Sequence, residues 1–440
     1  MFLKAQSLVF VPCRFVQALF VSHRNAKGNV RALWPILDHK NCLENRRELE
    51  DNVKRRGFGD QVNIVKLYDQ WEQYKEAESR KVAIEKRRAQ LSKLIVKAKS
   101  ENTDSQNSIE DLLQEARGLR GEYQSACERF YEIDEVFNNN FLDLPNKLLS
   151  TTPDEPQIVF SHGLNSAENH TSHHLDYKHM IEYINETCYY LQKEAAHFDR
   201  ALPNTLIDQF QRNGFSQLSN PDFAKTVTVE GGGTALQDLY EIQHDYNEKC
   251  SNLLHLVGSG SWLSFLGFVA KTKIEKELLP MQFISTGKIY RPNNTNDRGL
   301  FDVVQSTAVQ MFLAGTESQM AEKFDTVLEL IIQIFKTIDI HFRVIHVPAS
   351  QLHSTECFAT QIEMYSPSLQ QYIEIGRLSQ YGDFISKRLR FQCQRDETNT
   401  QYKPHIIGGT VCNVTKCLAI ILETHNGIIP NAVVTENFVK

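Results

Sequence analysis

The chain has 440 residues, 41% of them apolar and 23% charged, and carries a formal net charge of -6. This is an ordinary globular composition with room for two or three domains, and its acidic balance excludes nucleic-acid binding by bulk charge, so any RNA contact must come from a local patch. No run approaches the roughly 18 uninterrupted apolar residues of a membrane-spanning helix, so no membrane partner is expected. Nine cysteines are dispersed from Cys13 to Cys417 without a Cys-x-x-Cys pair, and Cys412 and Cys417 have no histidines at zinc-finger spacing. That pattern predicts reduced thiols, no structural metal and an intracellular setting.

At the N-terminus the first acidic residue is Asp38, whereas Lys4, Arg14, Arg24, Lys27 and Arg31 are interspersed with Phe10, Phe15, Val16, Leu19 and Phe20. Residues 1–40 therefore resemble a mitochondrial transit peptide with an unstructured lead, which places the protein in the mitochondrial matrix. A buried N-terminal helix is the alternative; a secretory signal fits less well because arginines interrupt the apolar run.

Residues 41–150 predict a helical arm. Ile109, Leu112, Ala116, Leu119, Tyr123, Ala126, Phe130, Ile133 and Phe137 recur at alternating spacings of three and four, the seam of a coiled coil. Upstream, Ala77, Ile84, Leu91 and Ala98 repeat every seven residues, and Ser100 to Asn107 between the two patterns is polar and turn-forming. An antiparallel coiled-coil hairpin follows, with a parallel dimer as its competitor. The first helix carries Arg80, Lys81, Lys86, Arg87, Arg88, Lys93, Lys97 and Lys99, and the second carries Glu110, Asp111, Glu115, Glu122, Glu128 and Glu132. Helix-to-helix salt bridging and a phosphate-binding stripe both fit; charge alone favours the former.

Leu144-Pro145-Asn146 and Thr152 to Pro156 break regular structure and mark a boundary near residue 150. In 151–440, strand-like runs at 342–347, 371–375 and 428–434 alternate with buried helical segments at 328–335 and 418–422. An α+β domain on a mostly antiparallel sheet is expected.

Particular motifs make the arm and core resemble seryl-tRNA synthetases of class II. These are Asn52 to Gly57 before the arm, Leu144-Pro145-Asn146 after it, Arg298-Gly299-Leu300 followed by Gln305, Gly382-Asp383-Phe384, and Gly408-Gly409 through Thr424. The resemblance runs from about residue 41 to the C-terminus and is strongest to a paralogue group of insect mitochondrial seryl-tRNA synthetase-like proteins. It implies a class II synthetase-like antiparallel core at 151–440 and a tRNA-binding arm, so the eight cations above become RNA-binding candidates. Tyr190 to Leu202 and Asn220-Pro221 resemble the first motif, through which class II cores dimerise.

The same resemblance implies that the active site is degenerate. Arg291 matches the arginine on the α-phosphate, but the following glutamate is Asn293. On the returning strand an arginine is replaced by Asp302, a histidine by Val304 and the terminal glutamate by Gln310; the Gly-Arg pair at the third-motif helix reads Thr415-Lys416. The Thr-x-Glu element for the substrate amino group reads Gly258-Ser259-Gly260, the asparagine near the serine side chain corresponds to Gln380, neighbouring serines have become Gly376 and Arg377, and a Lys-x-x-Asp pair has become Phe358 and Gln361. Arg291, Glu363, Glu374 and Lys416 remain as vestigial nucleotide or metal positions; Ser259, Asn293, Asp302, Gln310 and Gln380 are lost ones.

Amino-acid activation depends on neutralising phosphate charge and gripping the amino acid, and losing one preorganised electrostatic group typically costs about 10²–10³ in rate. The expectation is a protein without catalytic residues, metal or cofactor. It would act as a binding or regulatory factor, partnering the authentic mitochondrial seryl-tRNA synthetase as a heterodimer, or itself as a homodimer, and binding tRNA or another mitochondrial RNA. The alternative is an enzyme activating another small acid with ATP.

Overall fold

The computed structural model describes residues 33, 35–100, 106–163, 173–184, 188–242, 253–292, 299–338, 340–394 and 401–430, with side chains omitted at 99–100 and 106–109. Helices α1 (His39–Leu43) and α2 (Arg46–Arg55) lead into two long helices, α3 (Ile64–Ser100) and α4 (Gln106–Leu142). These pack side by side as the expected hairpin; part of its polar turn lies outside the described residues. Leu91, Ala126, Phe130 and Phe137 are buried along the seam, whereas Leu94 is exposed. At the arm's root Leu49, Val53, Leu67, Phe137 and Phe141 form a separate apolar cluster. Burying each such side chain stabilises by about 1.5–3 kcal/mol, so this cluster holds the hairpin to α1 and α2.

The described part of the N-terminal lead departs from expectation. Leu33 is buried in the core, and the Ile36 N–H donates to Lys387 O at 2.8 Å. Residues 33 and 35–40 are thus packed on the fold, because Leu33 and Leu37 meet apolar partners there.

The remaining strands are β1 (Gln157–His162), β2 (Ile181–Tyr183), β3 (Tyr189–Leu191), β4 (Ser216–Gln217), β5 (Phe223–Lys225), β6 (Tyr240–Ile242), β7 (Leu254–Leu256), β8 (Lys273–Ile274), β9 (Met281–Tyr290), β10 (Gln305–Gly315), β11 (Phe342–His346), β12 (Phe358–Ser366), β13 (Gln371–Gly382), β14 (Gln392–Cys393) and β15 (His405–Asn413). Helices α5 (Lys193–Arg212), α6 (Thr226–Gly231), α7 (Trp262–Val269), α8 (Glu317–Lys336), α9 (Phe384–Leu389) and α10 (Val414–Thr424) complete the core. Eight strands form one sheet in the order β1-β11-β12-β13-β15-β10-β9-β4, antiparallel throughout except for the β4–β9 pair.

Because side chains alternate along a strand, the sheet has two apolar faces. Val309, Met311, Leu313 and Ile407 join α5, α8 and α10 on one; Phe312, Ala314, Ile406 and Tyr381 join α7 and α9 on the other. Helix α8 begins with a capping box between Thr316 and Gln319 and buries Met320, Phe324, Val327, Ile331 and Ile334 at spacings of three and four. Helix α10 is capped by Asn413 and is apolar all round from Cys417 to Leu422, as a fully buried helix requires. The expected strand at 428–434 is not formed at 428–430, where Ile428 is exposed and Ile429 buried; the rest lies outside the described residues.

Candidate functional site

The β9–β10 hairpin, β13 and the β15–α10 junction bring Arg291, Asp302, Glu374 and Lys416 together. Arg291 follows β9, its N–H bonded to Val304 O at 3.0 Å. Asp302 sits after the 299–301 turn, its N–H bonded to Gly299 O at 3.1 Å. Lys416, in the first turn of α10, gives its N–H to the Asn413 side chain at 3.0 Å and its Nζ to Glu374 O at 3.4 Å. Burial pushes the Lys416 ammonium below its ordinary range; Glu374 and Asp302 oppose that shift and Arg291 reinforces it. Asn293 and Arg298 lie outside the described residues. Thr415 is fully buried and turned toward β10, where its hydroxyl accepts the Thr307 N–H at 2.9 Å; it rivets two motifs and so does not present its side chain to a nucleotide.

Neither surviving carboxylate stands unopposed. Glu363 faces Arg343 across β11 and β12, with Nε donating at 2.6 Å, and that guanidinium lies 3.6 Å from the centre of the Tyr372 ring. Glu374 accepts from Gln361 Nε2, and Arg377 Nη1 is 3.7 Å from it. Arginines thus oppose the charge of both acids. A second grouping, His173, His174 and Glu423, has carboxylate and imidazole atoms close together. His174 Nε2 accepts the Leu300 N–H at 3.1 Å, so Nδ1 carries the hydrogen given to Glu423 at 2.6 Å, and neither nitrogen keeps a lone pair for an ion. Burial alone would raise the Glu423 carboxyl, but hydrogen bonds from His174, Ser366 and Ser368 hold it below the usual range.

Around Gly258-Ser259-Gly260 the chain is closely packed against itself. Gly258-Ser259-Gly260 presses on β9: a Cβ at Gly260 would stand 2.4 Å from Gly287 O, and one at Gly258, where φ is +90°, would stand 1.9 Å from Lys288 O. No threonine or glutamate fits there without moving the backbone, and Ser259 is held by its N–H to Asp222 Oδ1 at 2.7 Å. Gln310 is buried, with Nε2 donating to Thr410 Oγ1 at 2.7 Å and Oε1 without a partner among the described residues. The Trp262 indole covers Gly408, whose added Cβ would meet Cζ3 at 1.9 Å, and stacks on Tyr381 at 4.9 Å and 11°. Gln380 departs from expectation: it is in register with Phe358 and Ile407 and shares the face covered by α5, α8 and α10, away from Gln310.

Arg377 projects from the same face as Gln310. Its Nε and Nη2 grip both oxygens of Glu356 at 2.9 and 2.7 Å, and Ser379 Oγ adds a third bond at 2.6 Å. Glu356 is 1% exposed. Burial would raise its carboxyl, but Arg377 and His353 hold it well below the ordinary carboxylate range. Sequence reading missed Glu356, Arg343, Trp262 and Tyr381. Glu356 leaves a faint signal as an acid beside Cys357-Phe358-Ala359, but nothing local joins it to a residue 21 positions on.

On the arm, Arg87 forks onto Glu115 at 2.6 and 3.0 Å, Lys81 lies 4.5 Å from the centre of the Phe130 ring, and Arg88 lies 4.3 Å from that of Tyr123. Arg80, Lys86, Lys93 and Lys97 are exposed, and the Lys99 side chain lies outside the described residues. The stripe therefore divides between cations that brace the hairpin and cations that face solvent.

An antiparallel sheet whose β9–β10 hairpin and terminal β15–α10 unit come together, preceded by a helical arm, is the fold of class II aminoacyl-tRNA synthetases. The family model for the seryl-tRNA synthetase N-terminal domain matches residues 36–148, and that for the class II core domain (G, H, P, S and T) matches 265–425. The chain is 30% identical over 423 residues to the serine–tRNA synthetase-like protein Slimp of Drosophila melanogaster, covering 93% of this chain and 89% of that one. It is 20% identical to the mitochondrial serine–tRNA ligase of Saccharomyces cerevisiae, over 88% of this chain and 90% of the ligase. The seryl-tRNA synthetase of Pyrococcus horikoshii, solved with ATP, superposes with a TM-score of 0.78 over 90% of this chain and 97% of its own, at 17% identity. The chain belongs to the seryl-tRNA synthetase family, as a synthetase-like paralogue with mitochondrial ligases among its homologues.

Proposed function

We propose that this protein is a non-catalytic member of the family that acts in the mitochondrial matrix as a binding or regulatory factor, joining RNA through its arm and the authentic mitochondrial seryl-tRNA synthetase through its core. The observation that carries the non-catalytic reading is the Arg377–Glu356 pair, a buried bidentate interaction on the face where the substrate would lie. The closed backbone at Gly260 and the arginine-neutralised Glu363 support it. Each missing electrostatic group is worth about 10²–10³ in rate, and the absences touch different parts of the reaction. The purified protein is expected neither to form seryl-adenylate nor to charge tRNA; serine-dependent charging above a no-enzyme control refutes the reading.

A second reading, ATP-dependent activation of another small acid, draws on the cluster of Arg291, Lys416 and Glu374. Pyrophosphate exchange across a panel of amino acids and small carboxylic acids decides it. Exchange with any of them favours this reading, and none favours the first. The acid-free N-terminus supports matrix import, and the exposed cations of α3 support RNA binding.

A further inference from the structure

The Glu356–Arg377 pair lies beneath the root of the arm. Glu356 belongs to the 353–357 loop, whose backbone accepts hydrogen bonds from both chain segments that flank the hairpin. From the α2 side, Arg56 sends Nη1 to His353 O at 3.1 Å and Nη2 to Glu356 O. From the α4 side, Asn146 gives Nδ2 to Thr355 O and Tyr381 O, both at 2.8 Å, and its N–H to Ser354 O at 2.7 Å. Arg56 Nη2 also reaches Asn146 O at 2.8 Å, and Asn52 Nδ2 reaches it at 3.1 Å, so the two segments are tied to each other as well. Below the loop, the Glu356 carboxylate accepts the His353 N–H at 2.8 Å along with Arg377 and Ser379.

We infer that the Glu356–Arg377 pair is a positioning device for the arm: it holds the 353–357 loop so that Arg56 and Asn146 set the direction in which the α3–α4 hairpin leaves the sheet. The groups are buried, so a carboxylate deprived of Arg377 must move toward water and take the loop with it. The hairpin amplifies any such movement. A helix the length of α3, 37 residues, extends about 55 Å, and a tilt of roughly 5° at its root displaces the tip by about 5 Å, more than the roughly 3.4 Å rise per phosphate of a strand. The side chains on the former substrate face thereby gain a role in presenting the arm. The consequence for RNA rests on the proposed function; the consequence for arm direction does not.

The test uses the full chain with spin labels on non-canonical amino acids replacing exposed Gln114, near the arm tip, and exposed Glu329, on α8. Distance distributions are compared between wild type and Arg377→Met, with Arg377→Lys as the variant that keeps the charge and Ser379→Ala as the milder cut should Arg377→Met not fold. Arg377→Met is expected to broaden or shift the distribution by several ångströms and to speed amide exchange at both 353–357 and 52–56, with α8 unchanged; Arg377→Lys falls between. Affinity for a structured mitochondrial tRNA is expected to fall about tenfold with its salt slope preserved, because preorganisation is removed while the phosphate-facing cations stay in place. An unchanged distribution in folded Arg377→Met, or in Ser379→Ala if that variant must serve, overturns the positioning role. A changed distribution with unchanged RNA affinity upholds positioning and overturns the use of the arm in RNA binding.

Discussion

At position 377, the resemblance implies a small residue where this chain carries a guanidinium. A guanidinium on that face is tolerable only with an acid beside it, and Glu356 supplies both oxygens. Breaking a buried pair from one side costs about 3–5 kcal/mol, since the remaining charge keeps its desolvation penalty. Glu356→Gln should therefore lower stability by that order at pH 7. The sign with pH follows from the direction of the shift. The folded carboxyl titrates below its ordinary value of 4.5, so its contribution is complete above that value and is lost as pH falls below it. The gap in urea midpoint between wild type and Glu356→Gln should be widest near neutrality and narrow below about pH 4.5. A gap of constant size from pH 7 to pH 3.5 contradicts the assignment.

Between elements, the stripe's cations divide between those that brace the arm and those that face solvent. Arg87 is committed to Glu115, and Lys81 and Arg88 lie over rings of α4. Arg80, Lys86 and Lys93 are exposed without an ion-pair partner among the described residues, and exposed cations of this kind can exchange counterions for phosphates. Changing Lys86, Arg87, Arg88 and Lys93 to Glu should abolish RNA binding. Lys86→Glu with Lys93→Glu should do most of that, lowering the slope of log K against log salt by about 0.7–0.9 for each phosphate no longer neutralised. Arg87→Glu alone should act mainly on arm stability, by roughly 0.2–1 kcal/mol, as expected of an exposed pair. Filter binding over a salt series, with helicity from circular dichroism, separates the two; undiminished RNA affinity in the fourfold variant would move the RNA site off the arm.

For the whole molecule, the proposed partner is a second synthetase-fold subunit. The Tyr190 to Leu202 part of the segment that resembles the first motif supplies the end of β3 and the first half of α5, and on the β2–β3 ribbon Tyr190 and the neighbouring Ile184 are 61% and 64% exposed. Apolar side chains that exposed on one ribbon suit burial against a related surface, and a paralogue can close that interface with itself or with the enzyme. Co-expression with the authentic mitochondrial seryl-tRNA synthetase, followed by size exclusion and native mass spectrometry, should yield the mixed dimer, and Tyr190→Asp should weaken it. Recovery of only the two homodimers after co-folding rejects the heterodimer.

The amino-acid sequence by itself determined what local periodicity and composition can carry. The spacing of Ala126, Phe130 and Phe137 specified one face of a long helix, the apolar run from Leu418 to Leu422 specified a buried one, and the order of short motifs specified the family. The tertiary structure decided which side chains meet. Arg377 meets Glu356, Arg343 meets Glu363, Trp262 covers Gly408, and Gln380 points away from Gln310, all through strand register and loop path. Bulges between Ile362 and Glu363 and between Gln380 and Gly382 shift that register. Since one residue of slip sends a side chain to the opposite face, no local pattern could have placed these groups; only the assembled sheet could.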